Sequence, residues 1–164
     1  MKATDLLRQQ HRSVEAMFAK IEAGEPEALK DLASALAAHM VIEHEFFYPE
    51  ARLVDEDEIL ESFEEHAIAE LALKRALATD PDDEMFDARV DVLKELIQHH
   101  VEEEEGELFP EVEEALDSEE LEAMGVEMEE RFEAVLKQGY EAVLPQTFEQ
   151  TAADLAEAEA DTAA

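Results

Sequence analysis

The chain of 164 residues contains no cysteine. That excludes a disulfide framework, a thiolate nucleophile and any Cys-ligated zinc or iron–sulfur site. Basic residues are scarce: 12 Lys and Arg stand against 46 Asp and Glu, a formal net charge of -34. Phosphates are gripped by Lys and Arg, so this balance excludes nucleic-acid binding through a basic surface. It also argues against docking on anionic lipid. No apolar run approaches the roughly 18 residues that a membrane span needs. The N-terminal stretch from Met1 to Phe18 is polar and amphipathic, unlike a secretory leader with its apolar core. The expectation is a cytoplasmic protein with neither a nucleic-acid nor a membrane partner.

Glycine and proline are rare as well, at four and five residues, while 46% of the chain is hydrophobic. Such a composition, rich in Ala, Leu and Glu, describes a folded helical protein with a core, not a disordered acidic tail. The acid excess has two readings, a solvated outer face or adaptation to high salt, where counterions screen repulsion.

The few breakers divide the chain. Thr4 or Asp5 is placed to cap a first helix running to about Ala23, with Gly24 as its stop. Glu25-Pro26 opens a second, carrying Leu29, Leu32, Leu36, His39, Glu43 and Phe46, which Pro49 bends or ends. Asp55-Glu56-Asp57 starts a third, carrying Ile59, Phe63, His66, Glu70, Leu73 and Leu77. After the loop Thr79–Asp82, a fourth carries Val90, Leu93, Ile97, His100, Glu104 and Leu108, with Gly106 and Pro110 near its end. A shorter fifth helix spans about 118–138, with a break near Gly125 or Gly139. No segment alternates with period two for long enough to be a strand. The expected fold is all-α, an up-down-up-down antiparallel four-helix bundle over residues 1–140. Residues 141–164 form an acidic, Ala/Glu-rich tail, expected to be mobile or dependent on a partner.

The chain also repeats itself. One copy reads His39-Met-Val-Ile-Glu43-His-Glu-Phe-Phe-Tyr-Pro49, the other His100-Val-Glu-Glu-Glu104-Glu-Gly-Glu-Leu-Phe-Pro110. In both, Glu follows His by four, Pro follows Glu by six, and an aromatic precedes the Pro. One helix earlier stands another His with a Glu four residues on: His11 with Glu15, and His66 with Glu70.

Residues four apart share a helix face. His11, His39, His66 and His100 fall on apolar stripes, as do Glu43 and Glu104. Four imidazoles and two carboxylates therefore point into the bundle. A lone interior His is more often a hydrogen-bonded core residue. A buried unpaired carboxylate, however, costs several kcal/mol, and two facing each other repel. A pair of metal ions removes both problems, since imidazole suits iron, zinc or nickel and a carboxylate bridges two ions. His44 and His99 are assigned to the outer face or to a supporting layer. His99 with Glu103 is a rival register that breaks the spacing to Pro110. Glu15 is placed on the surface or in a supporting layer, while Glu70 lies on the inner stripe as an additional candidate ligand. Phe46, Phe47, Leu108 and Phe109 are core positions that also wall the pocket from water.

These paired motifs resemble the haemerythrin-like, HHE cation-binding family over about residues 3–137. The resemblance implies a four-helix bundle with two non-haem iron ions joined by an oxo or hydroxo bridge. It makes His11, His39, His66 and His100 terminal ligands and Glu43 and Glu104 bridges. Two His, one oxygen from each Glu and the bridging oxygen give five ligands per iron, leaving a position for O2, NO or peroxide. Oxygen-carrying members place a fifth His where this chain has Glu70, a departure that argues against reversible oxygen carriage. Ferritin-like di-iron proteins use ExxH, and no His here has Glu three residues before it. The expected function is binding or sensing O2 or NO, or handling iron. The alternatives are a di-iron peroxidase, an NO-handling or iron-centre repair enzyme, and an acidic interaction module with a structural metal. The resemblance names no protein partner.

Overall fold

The computed structural model describes residues 1–144, and no strand occurs among them. The main α-helices follow one another: α1 (Ala3–Glu22), α2 (Ala28–Ile42), α3 (Tyr48–Ala51), α4 (Glu56–Leu77), α5 (Phe86–Glu103), α6 (Phe109–Ala115) and α7 (Ser118–Gln138). A π-helical turn, Glu43–Phe47, joins α2 to α3 without a break, and a second, Glu104–Leu108, joins α5 to α6. The bundle thus has four rods: α1, α2–α3, α4 and α5–α6.

Contacts between the rods fix their directions. Early α1 meets late α2 where Gln10 bonds His39. Glu43 meets His66, while Ala37 and Met40 lie lower down beside Glu70. His66 meets His100, and Thr79, just past α4, meets Arg89 early in α5. Arg8 bonds Glu113 at 2.7 Å at one end, and Lys94 pairs with Glu22 at the other. Each rod runs opposite to the next, the expected up-down-up-down order. α7 packs across α1 and α2.

Several boundaries differ from the sequence expectation. α1 starts at Ala3, ahead of the Thr4/Asp5 caps, with Lys2 making no side-chain cap. Tertiary packing accounts for this early start, because α7 presses on the same backbone. A Cβ on Gly125 would lie 2.2 Å from the Met1 carbonyl oxygen. Gly125 therefore does not break α7; it permits the close crossing. The break is at Gly139, with φ of 77°. Pro26 lies in the turn before α2 and not in its first turn. Gly24 ends α1 as expected, in a Schellman arrangement: its own N–H donates to Ile21 O and the Glu25 N–H to Lys20 O. Asp55 caps α4 by accepting from the Glu58 N–H at 3.0 Å. Of the acidic tail expected over 141–164, residues 141–144 are helical. The remainder lies outside the described residues.

Two apolar clusters fill the interior. One gathers Phe18, Leu32, Leu36, Leu73, Leu93 and Ile97; the other gathers Leu7, Ile42, Phe47, Ile59, Leu108 and Phe109. A polar layer separates them, because each rod switches from one cluster to the other at a His.

Candidate metal centre

His11, His39, His66 and His100 come from four different rods, and none is more than 4% exposed. Glu43 and Glu104 are fully buried and each opens a π turn. Their oxygens divide between two pairs of imidazoles. Glu43 Oε1 lies 3.0 Å from His39 Nε2, and its Oε2 lies 3.4 Å from His66 Nε2. Glu104 Oε2 lies 3.4 Å from His11 Nε2, and its Oε1 lies 3.5 Å from His100 Nε2. Ligand atoms of His11, His39, Glu43 and Glu104 lie within 4.8 Å of one another, as do those of Glu43, His66 and His100. One half of the site is therefore built on His11 and His39, the other on His66 and His100.

A supporting layer turns all four rings the same way. His11 Nδ1 bonds Glu105 at 2.8 Å, His39 Nδ1 bonds Gln10 at 2.7 Å, His66 Nδ1 bonds His44 at 2.9 Å and His100 Nδ1 bonds Glu65 at 2.7 Å. With Nδ1 as the donor, each ring in its neutral form presents the Nε2 lone pair to the centre, the arrangement metal-ligating imidazoles adopt. Meanwhile His11 Nε2, both oxygens of Glu43 and Glu104 Oε2 are buried without a hydrogen bond. Orphaned acceptors of this kind are costly to bury. Cations at these positions satisfy them together, so the donor set fits metal.

The chain matches the Hemerythrin HHE cation binding domain family over residues 2–112. It belongs to the haemerythrin HHE family. The HHE domain also resembles a DNA nickase from Nostoc sp. (strain PCC 7120 / SAG 25.82 / UTEX 2576), at 27% identity over 73% of this chain. That match spans only 36% of the nickase's length. Among solved structures, a hemerythrin HHE cation binding domain-containing protein from Mycobacterium kansasii superposes with a TM-score of 0.76. The two are 22% identical over 84% of this chain and 89% of the other, a likeness of fold.

The π turns explain how the HHE domain assembles this layer. In an α-helix, residues five apart are about 140° apart around the axis. Across the π turns, the Tyr48 N–H donates to Glu43 O and the Phe109 N–H to Glu104 O. That wider turn swings residue five back toward the face of residue zero. It brings Tyr48 toward Glu43 and Phe109 toward Glu104. It also lets the helix continue past Pro49 and Pro110, where an α-helix would need the missing N–H. Pro49 accordingly does not end the second rod.

Tyr48 is buried, and its hydroxyl lies 3.2 Å from His66 Nε2, 3.4 Å from His100 Nε2 and 3.1 Å from Glu104 Oε1. Phe109 stacks on His11 at 5.9 Å between ring centres. The sequence reading made Phe109 a wall, as found here, but assigned no role to Tyr48, Gln10, Glu65 or Glu105. His44 is in the supporting layer, one of the two places expected for it. His99 is exposed and faces Glu103 and Glu65, so the rival register points outward. Glu15 is on the surface beside Arg12. Glu70 is buried but outside both ligand clusters, lining a separate cavity with Ala37, Met40, Val41 and His44.

Electrostatics divide the ring nitrogens. Burial holds His39 and His66 well below the usual imidazole range. Burial also lowers His100, but Glu104, Glu65 and Glu43 outweigh it and raise the group to about 9. His11 is raised in the same way, burial being overcome by Glu104, Glu43 and Glu105. Burial pushes the Glu43 carboxyl up to about 7. A groove of about 570 Å³ between α1 and α5 is lined by His11 together with Arg12, Phe18, Ile97 and Glu105.

Proposed function

We propose that this HHE domain is a non-haem di-iron protein that binds or senses O2 or NO, or handles iron. His11 and His39 are terminal ligands of one ion, His66 and His100 of the other, and Glu43 and Glu104 bridge the two. One observation carries this reading: each buried carboxylate directs one oxygen to each pair of imidazoles. A single closed zinc site would not use the oxygens in that divided way. When bound, the two irons supply redox-active Lewis-acid positions for a small ligand.

The chain's own residues prepare that chemistry. Gln10, His44, Glu65 and Glu105 fix the ring orientations and raise ligand basicity. Phe47 and Phe109, in edge-to-face contact at 5.4 Å, exclude bulk water from one end. The groove at His11 supplies a way in from solvent for a molecule as small as O2 or NO. The net charge of -34 argues against extending the nickase relative's activity to this chain.

Anaerobic titration with Fe(II), followed by air and watched by absorption spectroscopy, tests the reading. The expected result is two irons per chain and near-ultraviolet charge-transfer bands after oxidation. Saturation at one ion per chain overturns it. Sustained turnover of peroxide with a reductant instead supports the enzymatic alternative.

A further inference from the structure

The repeat is not chemically symmetric. Tyr48 and Phe109 hold equivalent places, nine residues after His39 and His100, yet only one of them carries an oxygen. That oxygen is at the centre of the polar layer. Donors sharing one ion at bond lengths near 2.1 Å, at right angles, lie about 3 Å apart. The Tyr48 hydroxyl is 3.1–3.4 Å from three donors of one half, and His66 Nε2 and His100 Nε2 are 3.0 Å from each other. It sits at ligand-to-ligand spacing, not at the spacing of an ion to its ligand.

We propose that Tyr48 is a further metal ligand, its phenolate oxygen joining His66, His100 and the bridging carboxylates on one of the two ions. The inference rests on the two-metal reading above. A plain structural hydroxyl would need one acceptor, and Glu104 would suffice. Here the hydroxyl also faces two imidazole Nε2 atoms whose Nδ1 atoms are already engaged outward, so both inward atoms offer lone pairs once His100 has given up its extra proton. Three acceptors converging on one phenol oxygen are satisfied by a cation between them. On coordination the O–H bond breaks, the metal–oxygen bond forms and one proton passes to bulk water; no electron moves. Burial and the two carboxylates hold the phenol well above its usual range without metal, and a bound cation inverts that preference. The ion on the His11/His39 side gains no such donor, because Phe109 stands in the equivalent place. That ion is the one left open, on the side where His11 lines the groove.

The composition makes the test clean. The chain has no Trp and only two Tyr, Tyr48 and Tyr140. Ultraviolet difference spectra during loading with Zn(II), which has no colour of its own, should show one tyrosinate per chain in the wild type and in Tyr140→Phe. Tyr48→Phe should show none, should release one proton fewer on loading and should bind its second ion at least about tenfold more weakly. Ferric loading should give a visible phenolate-to-iron band in the wild type that Tyr48→Phe lacks. Two Zn(II) bound by the wild type without a tyrosinate signal would overturn the ligand role and leave the two-metal reading intact. Absence of Zn(II) and iron binding would overturn both. If Tyr48→Phe does not fold, the wild type and Tyr140→Phe still decide.

Discussion

The two halves of the metal centre are the same design executed with different side chains. In each, the residue just before one His supports the other: Gln10 precedes His11 and holds His39, while Glu65 precedes His66 and holds His100. In each, the residue just after the buried Glu reaches a ring on another rod: Glu105 holds His11, and His44 holds His66. Each half thus has one carboxylate support and one neutral support, but the third equivalent pair differs outright, Tyr48 against Phe109. The repeat conserves placement and lets chemistry diverge. On the two-metal proposal the ions would not be equivalent, the His11/His39 side lacking the Tyr48 oxygen.

The largest effect should come from removing a residue common to both halves. Glu43→Ala or Glu104→Ala should weaken metal binding by more than about 100-fold and reduce stoichiometry below two, whereas Glu103→Ala should leave both unchanged. Equilibrium dialysis with metal analysis measures this, and equal losses from Glu103→Ala would place the register on the exposed His99. Next is proton traffic. At neutral pH the raised His100 holds its proton and Glu43, at about 7, holds part of one. Metal must displace them, so loading at pH 7 should release more than one proton per chain in a pH-stat. Both groups are raised, so affinity should climb with pH through about 9, and a Tyr48 phenolate ligand should keep it rising beyond that in the wild type but not in Tyr48→Phe.

Smaller effects separate the halves. Gln10→Leu should weaken binding about 10- to 100-fold at the His11/His39 ion alone, and Glu65→Leu likewise at the other. A titration resolved into two steps reports which step moves; if either substitution moves both steps equally, the halves act as one site. Smallest of all, His99→Ala should change thermal stability by less than about 0.5 kcal/mol and leave stoichiometry at two.

Much of this architecture was legible in the chain. The HxxxE pairs stand out because His39 and Glu43 fall on one face at the α-helical period, among Leu32 and Leu36. The caps at Asp55 and Gly24 use local chemistry that the sequence states openly. Gln10 and Glu65 were hidden because they lie one residue, about 100°, off the ligand stripe, and bond to a neighbouring rod. Tyr48 was passed over for a related reason. On a regular helix it points away from Glu43, and only the π turn brings it round. Gly125 looked like a helix breaker because the backbone it lies against is more than a hundred positions away in sequence.

Each π turn is also a single-residue insertion, and it occurs at the same place in both copies of the repeat. A relative whose rods were α-helical throughout would need one residue fewer between its bridging Glu and its Pro. Aligned to this chain without gaps, such a relative would pair its inward aromatic with Phe47 or Leu108, one column early. Tyr48 and Phe109 would then look like unmatched surface substitutions. Counting residues from Glu to Pro, six in both copies here, therefore tells which relatives share the widened turn before any side chain is compared.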